Sequence, residues 1–217
     1  MTKGPYEVKK LWGEKFGTKT GKFEFFSETL KKALEDHATK HNTTVDNVLE
    51  VTNYEARGEL AFVPHYEPPR CWGDKSEYPF DLVDVKSRYN REGRSANLPF
   101  YNQFKVLDPG DKNWQDCIKI NPVDAAGIGI ADGDEVAVVS VVGEIKIKAR
   151  LWEGVRPGTA VKTYGNGHWA YGRFASDYAN LKETGGNNNE VMPDDYDRIS
   201  GATARNGGFT GVKIVKI

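Results

Sequence analysis

The stretch Ile120-Asn-Pro-Val-Asp-Ala-Ala-Gly-Ile-Gly-Ile-Ala-Asp-Gly-Asp-Glu-Val-Ala-Val-Val-Ser140 decides the fold. In a short span it holds a strand end, one turn of helix, a tight turn and a second strand, a density expected of a small closed β-barrel rather than an open sheet. Asn121 offers a helix cap, Pro122 suits the first helical position, and Gly127 or Gly129 can end the helix. Asp132-Gly133-Asp134 then turns the chain into Val136-Ala-Val-Val139. Beyond Gly143, Ile145, Ile147, Ala149 and Leu151 alternate with Lys146, Lys148 and Arg150, so this strand is half buried with its basic residues on the wet face. Upstream, Phe80, Leu82, Val83 and Val85 form another apolar run. Downstream, Gly211-Val-Lys-Ile-Val-Lys-Ile217 reads as a last strand tied into the sheet, which makes Ile217 a natural C-terminus.

Composition narrows the function classes. The 217 residues carry 30 Lys plus Arg against 31 Asp plus Glu, a net charge of −1. No global field favours nucleic acid or an anionic membrane, so no nucleic-acid partner is expected. The longest apolar runs fall well short of the roughly 20 residues needed to cross a bilayer, and the first residues are not followed by a hydrophobic segment. Neither membrane insertion nor an export signal is therefore expected on this chain, and it does not name a compartment. Cys71 and Cys117 are the two cysteines. Neither has a second Cys or His at ligand spacing, and an iron–sulfur cluster takes about four thiolates, so no cluster is expected here. Both read as ordinary semi-buried thiols, with a disulfide left open.

Residues 1–70 are charged and irregular. Thr18 to Phe26 reads as a turn into a short strand with Phe23 and Phe25 on one face. Ser27 offers an N-cap with Glu28 in the first turn, and Leu30, Ala33, Leu34 and His37-Ala38 follow at helical spacing to about His41. A second short helix covers Thr44 to Val51, before Gly58 and Pro64, Pro68 and Pro69 impose extended chain. One amphipathic helix and one short strand do not make a core. This part therefore reads as the C-terminal tail of a preceding domain, loosely held without its packing partners, and residues 71–217 as the barrel.

Three segments could carry chemistry. Lys86-Ser-Arg-Tyr-Asn-Arg-Glu-Gly-Arg-Ser-Ala-Asn97 leaves a buried strand and gathers basic, hydroxyl and amide side chains in one loop, a sensible cradle for a diphosphate. A solvated polar loop is the plain alternative. In Tyr164-Gly-Asn-Gly-His-Trp-Ala-Tyr-Gly172, glycines permit close approach to the backbone while His168 and Trp169 offer a hydrogen bond and a flat face to a bicyclic heterocycle. A barrel-edge turn with aromatic packing would look similar. In Gly185-Gly-Asn-Asn-Asn-Glu-Val191, amides offer both donor and acceptor to a mixed hydrogen-bonding edge, Asn189 first and Asn187 second, although asparagines also serve as plain turn residues.

The order of these elements closely resembles the C-terminal dinucleotide-binding domain of the molybdopterin oxidoreductases, the dimethyl sulfoxide reductase family. Gly93-Arg-Ser-Ala-Asn97 is similar to that family's Ser-Arg-Thr/Ser-x-Asn element, Gly167-His-Trp169 to its Gly-His-Trp element, and Gly185 to Val191 to its Gly-x-Asn-x-Asn-x-Leu/Val signature. Thr18 to Glu28 and His65-Tyr-Glu-Pro-Pro69 resemble segments that approach the domain. Asp195 to Asn206 resembles the run before the last strand, with Tyr-Asp-Arg in place of the usual Asp-Pro. Gly207-Gly208 stands where the nitrate-reductase branch has a Lys, and Arg205 could supply that positive charge. The pattern looks nearer to the branch that reduces sulfur, selenium or arsenic oxyanions, such as the tetrathionate, polysulfide or arsenate reductases.

The resemblance implies a mainly β fold with short helices, a six-stranded double-psi β-barrel of the aspartate decarboxylase-like kind with an N-terminal α/β appendage. It implies a barrel lying against one side of a molybdopterin guanine dinucleotide cofactor of molybdenum or tungsten. Carried over to this sequence, the cofactor-binding residues are Lys86, Arg94, Ser95, Asn97, Gly167, His168, Trp169, Asn187, Asn189 and Arg205, with no catalytic residue and no metal ligand. The metal's protein ligand and the cluster cysteines come in that family from upstream domains. The implied partners are therefore those domains of the same catalytic subunit or a split-gene partner, and an iron–sulfur electron-transfer subunit. Two rival readings stand beside this one: a non-catalytic barrel that recognises a protein or small ligand, and a small self-contained decarboxylase.

Overall fold

A computed structural model of the protein describes residues 16–68, 70–90, 93–95, 98, 108–112, 116–167, 185–203 and 209–217. The chain divides into two compact units, Met1–Pro68 with Arg198–Gly201 and Pro69–Asp197 with Ala202–Ile217.

In the first unit, helix α1 spans Glu28–Lys40 and starts where the sequence predicts, with Ser27 Oγ accepting from the Leu30 amide at 3.2 Å. Helix α2 spans Val45–Val51, capped in the same way by Thr44. A 3-10 turn over Gly58–Phe62 follows, where the sequence predicts extended chain. That turn supplies a missing part of the core. Its Ala61 and Phe62 join Leu49 and Ala56 in a small cluster flanked by Phe26, Leu30, Leu34 and Val45, and the Ser27 amide donates to the Phe62 carbonyl at 2.8 Å. The unit thus has a small core of its own, built from two helices and the 3-10 turn rather than from one helix and one strand. The strand expected near Phe23 and Phe25 is not formed. Both rings are mostly exposed and pack edge-on against each other at 5.0 Å, and among the described residues no strand pairs with this segment.

The second unit is the barrel. Strand β1 (Cys71–Trp72) lies parallel to β7 (Phe209–Lys216), outside the ring. The ring comprises β2 (Phe80–Val85), β3 (Cys117–Ile120), β4 (Glu135–Val139), β5 (Glu144–Leu151), β6 (Thr159–Thr163) and β7. It closes in the cyclic order β2-β6-β3-β5-β4-β7, with β7 hydrogen-bonded to both β4 and β2. Two pairs, β2 with β6 and β3 with β5, are parallel and the other four antiparallel. This is the six-stranded double-psi barrel expected from the sequence.

Local chemistry accounts for these elements. Helix α3 (Pro122–Gly127) is capped by Asn121, whose Oδ1 accepts from the Val123 amide at 2.9 Å and whose Nδ2 donates to the Val155 carbonyl at 2.7 Å. On β5 the buried residues are Ile145, Ile147 and Ala149, while Lys146 and Lys148 are exposed, the alternation read from the sequence. Ile118, Ile120, Val136, Val138, Ala160 and Val212 are all fully buried in the interior. Each buried aliphatic of Val or Ile size contributes about 1.5–3 kcal/mol.

Asp132 ties the turn before β4 to the end of β5. Its Oδ1 accepts from the Leu151 amide and from Arg150 Nη1, both at 2.8 Å, and its Oδ2 from Lys112 Nζ at 2.7 Å. Lys112 foremost, then Arg150 and the Leu151 amide, hold its carboxyl well below the ordinary carboxylate range. A folded-state pKa below the unfolded value of about 3.9 makes this contribution fully present above pH ~4 and lost as the pH falls through the folded value. Asp132→Asn should cost about 1 kcal/mol at pH 7, a figure discounted for solvent screening. In urea denaturation the difference between variant and parent should shrink steadily below pH ~4; a difference unchanged at low pH would assign the cost to shape rather than charge.

Candidate functional site

The barrel interior is apolar along most of its length and polar at one end. On β2, Asp84 follows Phe80 and Leu82 at the two-residue period of one face, and on β6 Lys162 follows Ala160 in the same way. Asp84 and Lys162 are register partners in the parallel β2–β6 pair. Asn188, in a 3-10 turn over Asn188–Glu190, donates from Nδ2 to Asp84 Oδ1 at 2.5 Å. Lys162 Nζ donates to Asp116 Oδ1 at 2.5 Å, and both side chains are almost wholly buried. Burial pushes the Asp116 carboxyl upward against the pull of Lys162.

Three loop segments meet at this end. The first leaves β2: Asn90 Oδ1 accepts from the Ser95 amide at 3.1 Å, and Ser95 Oγ donates to the Tyr89 carbonyl at 3.0 Å. The second leaves β6, and Asn90 Nδ2 joins the two by donating to the Gly165 carbonyl at 3.2 Å. Gly93 and Gly165 both have positive φ, and a Cβ on Gly165 would lie 2.6 Å from the Gly93 Cα. The third segment packs on the second just as closely, since a Cβ on Gly167 would lie 2.2 Å from the Gly186 carbonyl carbon and 2.4 Å from the Asn187 nitrogen. Only glycine permits backbones to approach in this way.

Of the residues singled out from the sequence, the structure brings Lys86, Arg94, Ser95, Gly167, Asn187 and Asn189 onto these three segments. Lys86 and Arg94 are exposed, Ser95 is buried. Asn187 uses its Oδ1 to cap the Asn188–Glu190 turn by accepting from the Asn189 amide at 3.0 Å, and the Asn189 side chain is exposed. Asn97, His168, Trp169 and Arg205 lie outside the described residues.

Sequence reasoning missed the buried polar layer beneath these loops. Ser87 Oγ, Asn166 Oδ1 and Asn188 Oδ1 are buried with no hydrogen-bond partner. Each belongs to one of the three segments, just past a strand end or on the turn above it. A buried polar atom left unpaired costs about 1–3 kcal/mol, and three of them in one loop cluster fit a ligand whose edge presents hydrogen-bond donors. The signal in sequence is slight: Asn188 sits between the two asparagines that the motif singles out.

Comparison with known proteins follows the same lines. The family described as the molydopterin dinucleotide binding domain matches residues 104–208. The arsenate respiratory reductase molybdopterin-containing subunit ArrA of Chrysiogenes arsenatis is 59% identical over 212 residues, covering 97% of this chain and 25% of the relative. Its counterpart in Shewanella sp. (strain ANA-3) is 54% identical over 200 residues, covering 92% of this chain and 23% of the relative. The chain thus spans about a quarter of these relatives' length. Acetylene hydratase from Pelobacter acetylenicus superposes with a TM-score of 0.53 at 18% identity, over 93% of this chain and 25% of that one, which is a likeness of fold.

The glycine contacts can be tested directly. Gly158 has φ +78° and nothing within 4 Å of where a Cβ would stand, whereas Gly167 has φ +81° and backbone within 2.2 Å of that point. Gly158→Ala should cost about 1 kcal/mol, the penalty of the left-handed conformation alone. Gly167→Ala should cost more, about 2–4 kcal/mol. Equal costs in urea titrations of the two variants would show that the Gly167 approach does not constrain the loops.

Proposed function

Because this chain belongs to the molydopterin dinucleotide binding domain family of the molybdopterin oxidoreductases, we propose that it is the cofactor-binding C-terminal portion of a reductase catalytic subunit that acts on arsenate. The observation that carries the reading is the set of three buried, unpartnered oxygens under a glycine-lined loop cluster. A pterin or guanine edge carries the N–H donors that such acceptors need. The residues therefore fit a molybdopterin guanine dinucleotide, which when bound supplies the redox-active molybdenum or tungsten centre.

The chain's own residues bind and orient. Arg94 and Lys86, exposed on the loop after β2, suit the neutralisation of a diphosphate by charge-assisted hydrogen bonds. Ser87, Asn166 and Asn188 hold the heterocycle edge, and the paired glycines let backbone amides come close. Asn189 and Asn187 flank the same turn. His168 and Trp169 belong to this proposal through the family resemblance of their motif. No group of three or more His, Cys, Asp or Glu able to hold a metal ion occurs among the described residues. In this proposal the metal's ligand and the electron path come from the rest of the catalytic subunit and from further subunits.

Titration calorimetry of the chain with molybdopterin guanine dinucleotide tests the reading. The parent should bind, Asn189→Ala should bind more weakly, and Arg94→Ala should lose about 10-fold to 100-fold in affinity, the ~1.5–3 kcal/mol of a hydrogen bond to a charged group. Equal affinities in parent and both variants would remove these two residues from the site.

A further inference from the structure

Lys162 occupies a strand position that alternation reserves for an apolar residue. It shares the inward side of β6 with the fully buried Ala160, is itself 1% exposed, and pairs in register with Ile118 on one side and Asp84 on the other. A buried lysine loses its hydration, and attraction to one carboxylate seldom outweighs that loss; apolar replacements of such pairs are often neutral or stabilising. Stability of the barrel alone therefore does not account for this pair.

What apolar side chains cannot do is bind loops. Asp116, 4% exposed, places Oδ1 on Lys162 Nζ at 2.5 Å and accepts the Gly186 amide on Oδ2 at 3.1 Å. The Asn166 side chain hydrogen-bonds to the same carboxylate. Lys162 Nζ also donates to the Thr163 carbonyl at 3.1 Å, at the point where β6 ends. Gly185 is packed so that a Cβ would lie 2.1 Å from Asp116 Oδ2. One carboxylate thus gathers the end of β6, the loop after it and the Gly185–Asn189 segment.

We infer that Asp116 and Lys162 are positioning residues, a buried clamp that holds the Gly165–Gly167 and Gly185–Asn189 loops at the spacing that receives the dinucleotide. Asp116 touches no ligand in this scheme; it acts through Gly186 and Asn166. The inference rests on the dinucleotide reading of the loop cluster, and its test separates the two.

The test compares hydrogen–deuterium exchange of the full 217-residue chain with that of the double variant Asp116→Leu/Lys162→Met, alongside titration with molybdopterin guanine dinucleotide. Peptides covering 164–167 and 185–191 should exchange at least about 10-fold faster in the variant, while peptides in β3, β4 and β5 keep parental protection. Dinucleotide affinity should fall at least about 10-fold. Loops that keep their protection, or strands that lose theirs together with the loops, would overturn the clamp. Should the double variant fail to fold, Asp116→Asn keeps the shape and removes the charge, and the same loop-against-strand comparison decides. A parent chain that does not bind the dinucleotide would sink the ligand assignment, while the exchange pattern still upholds or overturns the clamp.

Discussion

The pairing of β7 with both β2 and β4 closes the ring, and the remaining architecture follows from that closure. A closed sheet has no free edge, and β7 pairs with β1 outside the ring as well as with its two neighbours in it. A six-stranded ring is also narrow, which leaves room for one layer of aliphatic side chains and forces the inward positions of neighbouring strands to share one small volume. The small Ala160 shares one buried cluster with Ile118, Ile120, Val136 and Val138. Side chains too polar for this volume are driven to its ends, where loops can supply partners.

One end uses that freedom. Asp84, Lys162, Asp116 and Asn188 form a polar layer across the mouth of the barrel, and the parallel alignment of β2 with β6 delivers two of the three loops to the same side of it. The loops approach each other at glycines, so their backbones lie close together where they meet. This arrangement separates two tasks: rigid strands fix where the loops begin, and the polar layer fixes how far apart they stand. A site meant to orient a large planar cofactor needs both.

The strands were legible because their alternation is simple. The β5 run, the Asn121-Pro122 start of α3 and the Ser27 cap of α1 each stand as the residues predict. The site was legible as segments, through the family resemblance, and much less as individual atoms. Thr159 to Thr163 holds two alternating sets, Ala160 with Lys162 and Thr159 with Val161 and Thr163, and the residues alone do not say that the set with Lys162 turns inward. Its partner Asp116 lies 46 residues earlier, and only closure of the barrel brings them together. The unpartnered oxygens of Ser87, Asn166 and Asn188 are a property of burial and orientation that composition does not encode. In the first unit, the missing piece was the 3-10 turn, since Gly58-Glu-Leu-Ala-Phe62 is too short for periodicity to reveal a buried side.

A second buried lysine shows why Lys162 carries more than structural weight. Lys119 is also nearly inaccessible, with Nζ 2.6 Å from Asp111 Oδ1, 2.8 Å from the Pro109 carbonyl and 5.7 Å from the centre of the Trp152 ring. Those partners belong to the segment before β3 and to the residue that follows β5, away from the glycine loops, and they simply cover a cation lying on the outer face of β3. Between the two pairs lies Cys117, whose thiol burial pushes up to about 12. That burial disfavours the thiolate, the form in which a cysteine acts as a nucleophile. The loop cluster and the polar layer beneath it suit the positioning of the molybdopterin dinucleotide that the family binds.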